Sequence, residues 1–143
     1  MLDQEKFFNT YKVQEAFEDS GLSWDTLEKI YDDYKSRLPE MKKMADHLQE
    51  EISKEIDFHV HSIHNRCKNP EHLIEKIIRK VGVEKRQKYK SINEKNYLRI
   101  VRDLMGVRIL ILSKEEWRTV HDFLLKVDED PRYDICMAEM PRA

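Results

Sequence analysis

Apolar residues recur along the first third of the chain at helical spacing. Residues 3–19 carry a weak form of the pattern in Phe7, Phe8, Tyr11, Val13 and Phe17, and Ser20-Gly21 breaks it. Ser23 is suited to cap a second helix. After it, Leu27, Ile30, Tyr31, Tyr34, Leu38, Met41, Ala45, Leu48 and Ile52 make one continuous stripe. Pro39 stands inside that stripe and predicts a kink or a split, because it lacks an amide donor and crowds the preceding turn.

Near Asp57 the period changes. Phe58-His-Val-His-Ser-Ile-His alternates as a strand does, with Phe58 and Val60 on one side. Asn69-Pro70 is a helix start, Asn as cap and Pro at the first helical position. Leu73, Ile74, Ile77, Ile78 and Val81 give this helix its buried face, and Gly82 is expected to end it. Residues 83–96 are polar, lysine-rich and irregular, which predicts a mobile connection. Tyr97 to Met105 reads as helix stopped by Gly106, and Val107 to Leu112 as an apolar strand in the middle of a sheet. Ser113-Lys-Glu-Glu116 is a capping-box pattern opening a helix to about Val127; a turn at Asp128–Pro131 and a strand at Tyr133–Ala138 follow. The expected class is α+β: a helical region over residues 1–56, then a mixed sheet flanked by helices over 57–143. Three strands make a small sheet for helices this long, so it reads as incomplete, with an edge open to a second copy of the chain.

Composition narrows the function classes. The 143 residues suit one domain, and 38% charged against 40% hydrophobic describes a folded, surface-rich helical protein. The 26 basic and 28 acidic residues leave a net charge of −2, so no global pull toward nucleic acid or acidic membrane is expected. No apolar run approaches the roughly 18 residues needed to span a bilayer. The start, Met-Leu-Asp-Gln-Glu-Lys, lacks the features of a signal peptide. Cys67 and Cys136 show no CxxC spacing, which fits a cytoplasmic protein with thiols.

The chemistry concentrates in two segments. Arg66 and Lys68 precede the Asn69 cap, and Lys76 and Arg79 follow on the helix with His72 at compatible spacing, so His72, Lys76 and Arg79 share one face. Backbone amides at the helix start add to an anion site there. The ordinary alternative is a solvated basic face balanced by Glu71 and Glu75. Further on, Asp103 lies just ahead of the apolar strand and Arg108 within it. Burying such an arginine is costly unless it is paired or faces a ligand, and its planar head can stack on a purine.

Together these residues resemble the RelA/SpoT nucleotidyltransferase domain of the stand-alone small alarmone synthetase type. The family pattern R-x-K-x3-S-x3-K-x2-R stands here as Arg66-x-Lys68-x3-His72-x3-Lys76-x2-Arg79, with His72 in place of serine. The second pattern, D-x2-G-x-R, stands as Asp103-x2-Gly106-x-Arg108, and the match covers roughly residues 57–112. The resemblance implies a cytoplasmic bacterial GTP pyrophosphokinase that makes (p)ppGpp in the stringent response. In it Arg66 and Arg108 would sandwich the adenine of ATP, Lys68, His72, Lys76 and Arg79 would hold the triphosphate, and Asp103 would bind Mg²⁺. The 3′-hydroxyl of GDP or GTP would take pyrophosphate from ATP. The family's later G-Y-x-S-x-H and E-x-Q-I-R-T segments do not occur, which implies an ATP- and Mg²⁺-binding half that is weakly active or inactive alone. Two other readings stay open: a toxic relative that pyrophosphorylates tRNA 3′ ends or makes an adenine alarmone, with Lys85–Lys95 facing the tRNA, and a catalytically inactive nucleotide-binding or interaction module.

Other residues invite weaker readings. His59, His61 and His64 invite a metal reading because His59-x-His61 on a strand places both imidazoles on one face, but no acidic or cysteine partner stands at metal-ligand spacing. His121-Asp122 has no upstream histidine to support a metal site. Trp24, Tyr31 and Tyr34 are expected to pack rather than to stack on bases.

Overall fold

A computed structural model of the chain describes residues 1–56 and 61–128. The chain divides into two units, one of residues 1–43 and 66–106, the other of 44–65 and 107–143. Within the described residues it is an α+β protein, mainly helical, with one two-stranded sheet.

The first unit begins with two short helices where the sequence pattern suggested one. Asp3 caps α1 (Gln4–Tyr11) by accepting from the Lys6 amide at 3.1 Å. The helix ends because Lys12 turns left-handed, φ 56°, and donates its amide back to the Phe8 carbonyl. Helix α2 (Gln14–Ser20) ends on Gly21, φ 71°. Phe7, Phe8, Phe17 and Trp24 then pack edge-on or tilted, with ring centroids 5.2–6.3 Å apart. Trp24 is thus a packing residue, as expected for it.

Helix α3 (Trp24–Ile56) passes through Pro39 without splitting. The amide that proline lacks would have bonded to the carbonyl of Lys35. Lys35 and Pro39 are both exposed, so water can satisfy that carbonyl while the buried stripe holds the helix together on either side. From this stripe Leu27, Ile30 and Tyr34 enter the core of the first unit and meet Leu73, Ile74, Ile77, Ile78 and Val81 of α4 (Pro70–Gly82). Asn69 caps α4, its side chain accepting from the Glu71 amide at 2.8 Å, with Pro70 opening the helix.

Gly82 is the last residue of α4, but its role differs from the one expected. Its φ is not positive, so it is no left-handed cap. A Cβ placed there would lie 2.0 Å from the carbonyl oxygen of Ala16. Glycine lets the backbones of α2 and α4 touch.

The segment after α4 also departs from the expectation of a mobile connection. Residues 87–89 form a short 3-10 turn, and Tyr89 and Ile92 are both buried in the core. Asn93 and Asn96 fold the next residues through side-chain bonds to backbone amides and carbonyls. The following helix, α5, covers only Tyr97–Ile100. Val101 and Leu104 then bury as the chain extends toward a strand that begins at Met105, so Gly106 lies inside that strand rather than ending a helix.

In the second unit the later part of α3 supplies Leu48, Ile52 and Ile56 to a smaller core with Ile63, Val107, Ile109, Val120, Phe123 and Leu124. Strands β1 (Ser62–Cys67) and β2 (Met105–Leu110) pair. Bonds from His61 N to Leu110 O at 2.8 Å and from Lys68 N to Leu104 O at 2.7 Å make the pairing antiparallel. The expected strand at 58–64 therefore sits later, and residues 57–60, with Phe58, His59 and Val60, lie outside the described residues. Strand β2 alternates between half-buried Met105, Val107 and Ile109 and exposed Gly106, Arg108 and Leu110. Among the described residues it pairs with β1 and leaves one face exposed, whereas a strand in the middle of a sheet was expected for 107–112. The expected strand at 133–138 lies outside the described residues. Ser113 caps α6 (Lys114–Asp128), accepting from the Glu116 amide at 3.2 Å as the capping-box pattern requires. No described helix is long and apolar enough to cross a membrane.

Candidate functional site

Three of the residues singled out by sequence converge within the first unit. The ammonium of Lys76 lies 2.6 Å from one oxygen of Asp103, and that of Lys68 lies 3.3 Å from the other. The lysine side chains are only 14% and 16% exposed, whereas that of Asp103 is 45% exposed. The cations thus reach the acid with their stems covered and the acid stands toward water.

Each member is held by a different local device. Lys76 projects from α4, whose buried face of isoleucines fixes its rotation. Lys68 sits immediately before the Asn69 cap. Its amide donates to the Leu104 carbonyl, and its own carbonyl accepts from the hydroxyl of Tyr34 at 2.6 Å. The same hydroxyl lies 3.4 Å from the Leu104 carbonyl. Tyr34, fully buried on α3, therefore pins the backbone of Lys68 beside the residue that follows Asp103. Burial pushes the Tyr34 phenol up to about 12, with Cys67 and Asp103 adding to the shift. It stays protonated and serves as a donor. Tyr34 is in turn packed edge-on against Tyr97, whose hydroxyl donates to Asp33.

Electrostatics at Asp103 oppose one another. Partial burial pushes its carboxyl up, but the Lys76 hydrogen bond and the charges of Lys68 and Lys76 outweigh it and hold the group below the usual carboxylate range. The cluster thus carries two positive charges and one negative at neutral pH.

The remaining candidates go elsewhere. Arg79 turns from this cluster to Glu75 at 3.4 Å and Glu84 at 2.8 Å. Glu84 also takes Lys80 at 3.1 Å and Arg86 at 3.6 Å. The shared face of His72, Lys76 and Arg79 is real in the helix, but its members find separate partners. His72 is exposed and meets the ring of Tyr11 edge-on at 5.9 Å, while the Tyr11 hydroxyl donates to Glu71. Arg66 lies on the exposed side of β1 in the first unit, and Arg108 on the exposed side of β2 in the second. Because Arg108 is exposed, the argument from the cost of burying it does not apply. Tyr89 was not foreseen: it is buried, its phenol raised by that burial, and it feels the charges of Lys80, Asp103, Glu84 and Arg86. Tyr89 and Ile92, three residues apart, are the apolar signal in the middle of that stretch of sequence.

A divalent cation at Asp103 would have to displace an ammonium group. Both carboxylate oxygens are engaged by ammonium groups. Among the described residues no group of three or more His, Cys, Asp or Glu could hold a metal ion. Magnesium bound through a single carboxylate relies on water and substrate phosphates for its other ligands. On α6, Trp117 stacks on His121 at 4.7 Å, which accounts for that histidine as a packing group.

No family model matches the chain, and no curated protein and no solved structure matches it.

Proposed function

We propose that this chain provides the ATP-binding half of a (p)ppGpp synthetase with a nucleotidyltransferase-like fold, acting in the transfer of pyrophosphate from ATP to the 3′-hydroxyl of GDP or GTP. The observation that supports this most is the pair of largely covered lysines, Lys68 and Lys76, brought to one point from a capped helix and the loop before it. Two ammonium groups, each aimed at a different oxygen of one acidic group, suit a phosphoryl group, whose charge they would neutralise as it moves. In the reaction the hydroxyl oxygen bonds to the β-phosphorus, the α–β bridging bond breaks, AMP leaves, and the hydroxyl proton passes to solvent. Such a transfer depends mainly on alignment and on charge neutralisation, which fixed lysines supply. Arg79 contributes to the triphosphate only by leaving Glu75 and Glu84, and His72 only by leaving Tyr11. The roles of these two are weaker than those of the lysines.

The test is equilibrium binding of ATP by this chain, followed by incubation of the complete gene product with labelled ATP and GDP, GTP, ATP or tRNA in turn. Label on a guanosine nucleotide with release of AMP supports the proposal. Label on tRNA or on an adenine nucleotide replaces it with the corresponding relative, and ATP binding without any transfer replaces it with a nucleotide-binding module. An ATP affinity that is absent, or that Lys76→Gln leaves unchanged, refutes it.

A further inference from the structure

We infer that Asp103 is a built-in substitute for the anion, occupying Lys68 and Lys76 until a phosphoryl group displaces its carboxylate. This rests on the reading of the two lysines as phosphate-holding groups. It assigns to Asp103 a competing role in place of a supporting one.

Three features of the cluster lead there. The first is the division of contacts. Each carboxylate oxygen serves a different lysine, and a phosphoryl group presents a pair of oxygens with nearly the same separation as a carboxylate. The second is mobility by construction. Lys76 is fixed by the buried face of α4 and Lys68 by two backbone bonds, from its amide to Leu104 and from Tyr34 to its carbonyl. Asp103 lies in the irregular stretch between α5 and β2 and is the most exposed of the three side chains. The acid can rotate into water, where it is well solvated, while the lysines stay in place. The third is charge. Two cations on one carboxylate leave a residual positive charge, and a phosphate dianion removes it. Exchange of carboxylate for phosphate therefore improves the balance at the lysines and returns Asp103 to solvent.

The consequence runs against the usual effect of removing a polar residue from a binding site. Taking away the competitor strengthens binding. The experiment is calorimetric titration of the full chain with inorganic tripolyphosphate in the presence of a chelator, which keeps divalent cations out. Asp103→Asn is expected to bind about tenfold more tightly than the parent, since a hydrogen-bonded charge contact no longer has to be broken first. Asp25→Asn removes the same charge from an exposed pair with Lys29 and is expected to change affinity by less than about twofold. Lys76→Gln is expected to lose binding. Circular dichroism verifies that each variant is folded, and Asp103→Ala provides the same test if the amide is not tolerated. If Asp103→Asn binds equally or less tightly while Lys76→Gln still loses binding, the competing role is wrong and the phosphate-holding reading survives. An equal gain in Asp25→Asn also overturns the inference, because net charge alone would then explain it. If neither the parent nor Asp103→Asn binds, both fall.

Discussion

Replacing Gly82 by alanine sets two effects against each other, and the structure decides their sign. Alanine is the better helix former by about 1 kcal/mol, so an isolated α4 would gain from the change. In the folded chain the new Cβ would lie 2.0 Å from the Ala16 carbonyl oxygen, 2.8 Å from its carbon and 3.1 Å from its Cα. All three are backbone atoms, so no side chain can swing away, and α2 or α4 must move by about an ångström. Overpacking of this kind costs about 1–3 kcal/mol, and a backbone clash belongs in the upper part of that range. The net expectation is a loss of about 1–2 kcal/mol, or a melting temperature lower by roughly 3–8 °C for a chain of this size. Gly106→Ala is the matched control. Nothing lies within 4 Å of its added Cβ, and it sits in an exposed strand position, so it should be neutral or gain about 0.5 kcal/mol. Thermal unfolding followed by circular dichroism measures both. A Gly82→Ala protein that melts at or above the parent temperature would refute the close approach of α2 and α4.

Tyr34→Phe removes the donor that holds the Lys68 carbonyl and should cost about 1–2 kcal/mol in a urea titration. It should also weaken tripolyphosphate binding, and an unchanged affinity would show that the tether does not position Lys68. Pro39→Ala restores an amide donor within α3 and should stabilise by about 2 kcal/mol, the helix-interior gain less the added freedom of the unfolded chain; a lower melting temperature would mean that proline is needed where it stands. Toward alkaline pH, Tyr34 and Tyr97 have folded pKa values raised above the ordinary 10.0, Tyr34 to about 12. Stability from these groups is complete below pH 10 and falls as pH rises from 10 through the folded values, since only the unfolded chain ionises readily in that window. Tyrosinate absorbance should appear together with unfolding, and Tyr34→Phe should flatten the loss. Toward acid, Asp33 and Asp103 are held below the ordinary 3.8, Asp33 chiefly by the Tyr97 hydroxyl and Asp103 by its lysines against its own partial burial. Their contribution is complete above pH 3.8 and declines below it as each folded carboxyl takes up a proton, so removing both partners, by Tyr97→Phe and Lys76→Gln, should reduce the acid slope.

The parts of the fold that rest on local chemistry were legible. Asn69-Pro70 opens α4 and Ser113 caps α6 because a cap is made by residues adjacent in sequence. The stripe from Leu27 to Ile52 gave α3 because helical spacing on one face survives any tertiary arrangement. Where the sequence misled, a distant contact overrode a local signal. Pro39 signals a break, but packing on both sides of it keeps α3 whole. Gly82 signals a left-handed cap, but α2 requires it for contact. Residues 83–96 look solvated because their lysines outnumber Tyr89 and Ile92, yet these two side chains enter the core while most of their neighbours stay exposed.

The candidate site shows the same division at finer scale. Helical spacing correctly put His72, Lys76 and Arg79 on one face, but a shared face spans several nearby acids and rings, and each side chain takes the partner within its own reach. Lys76 reaches Asp103, Arg79 reaches Glu75 and Glu84, and His72 meets Tyr11. No spacing rule links Lys68 to Asp103, which lies beyond α4, the 3-10 turn and α5; their meeting depends on the Lys68–Leu104 bond and on a Tyr34 hydroxyl that the stripe marks only as an apolar position. A hydroxyl buried on an apolar stripe must find an acceptor. The nearest ones here are the carbonyls of Lys68 and Leu104, the residues that frame the cluster. The packing that builds the core and the bonds that place the lysines therefore share one residue, and perturbing Tyr34 should disturb stability and anion binding together.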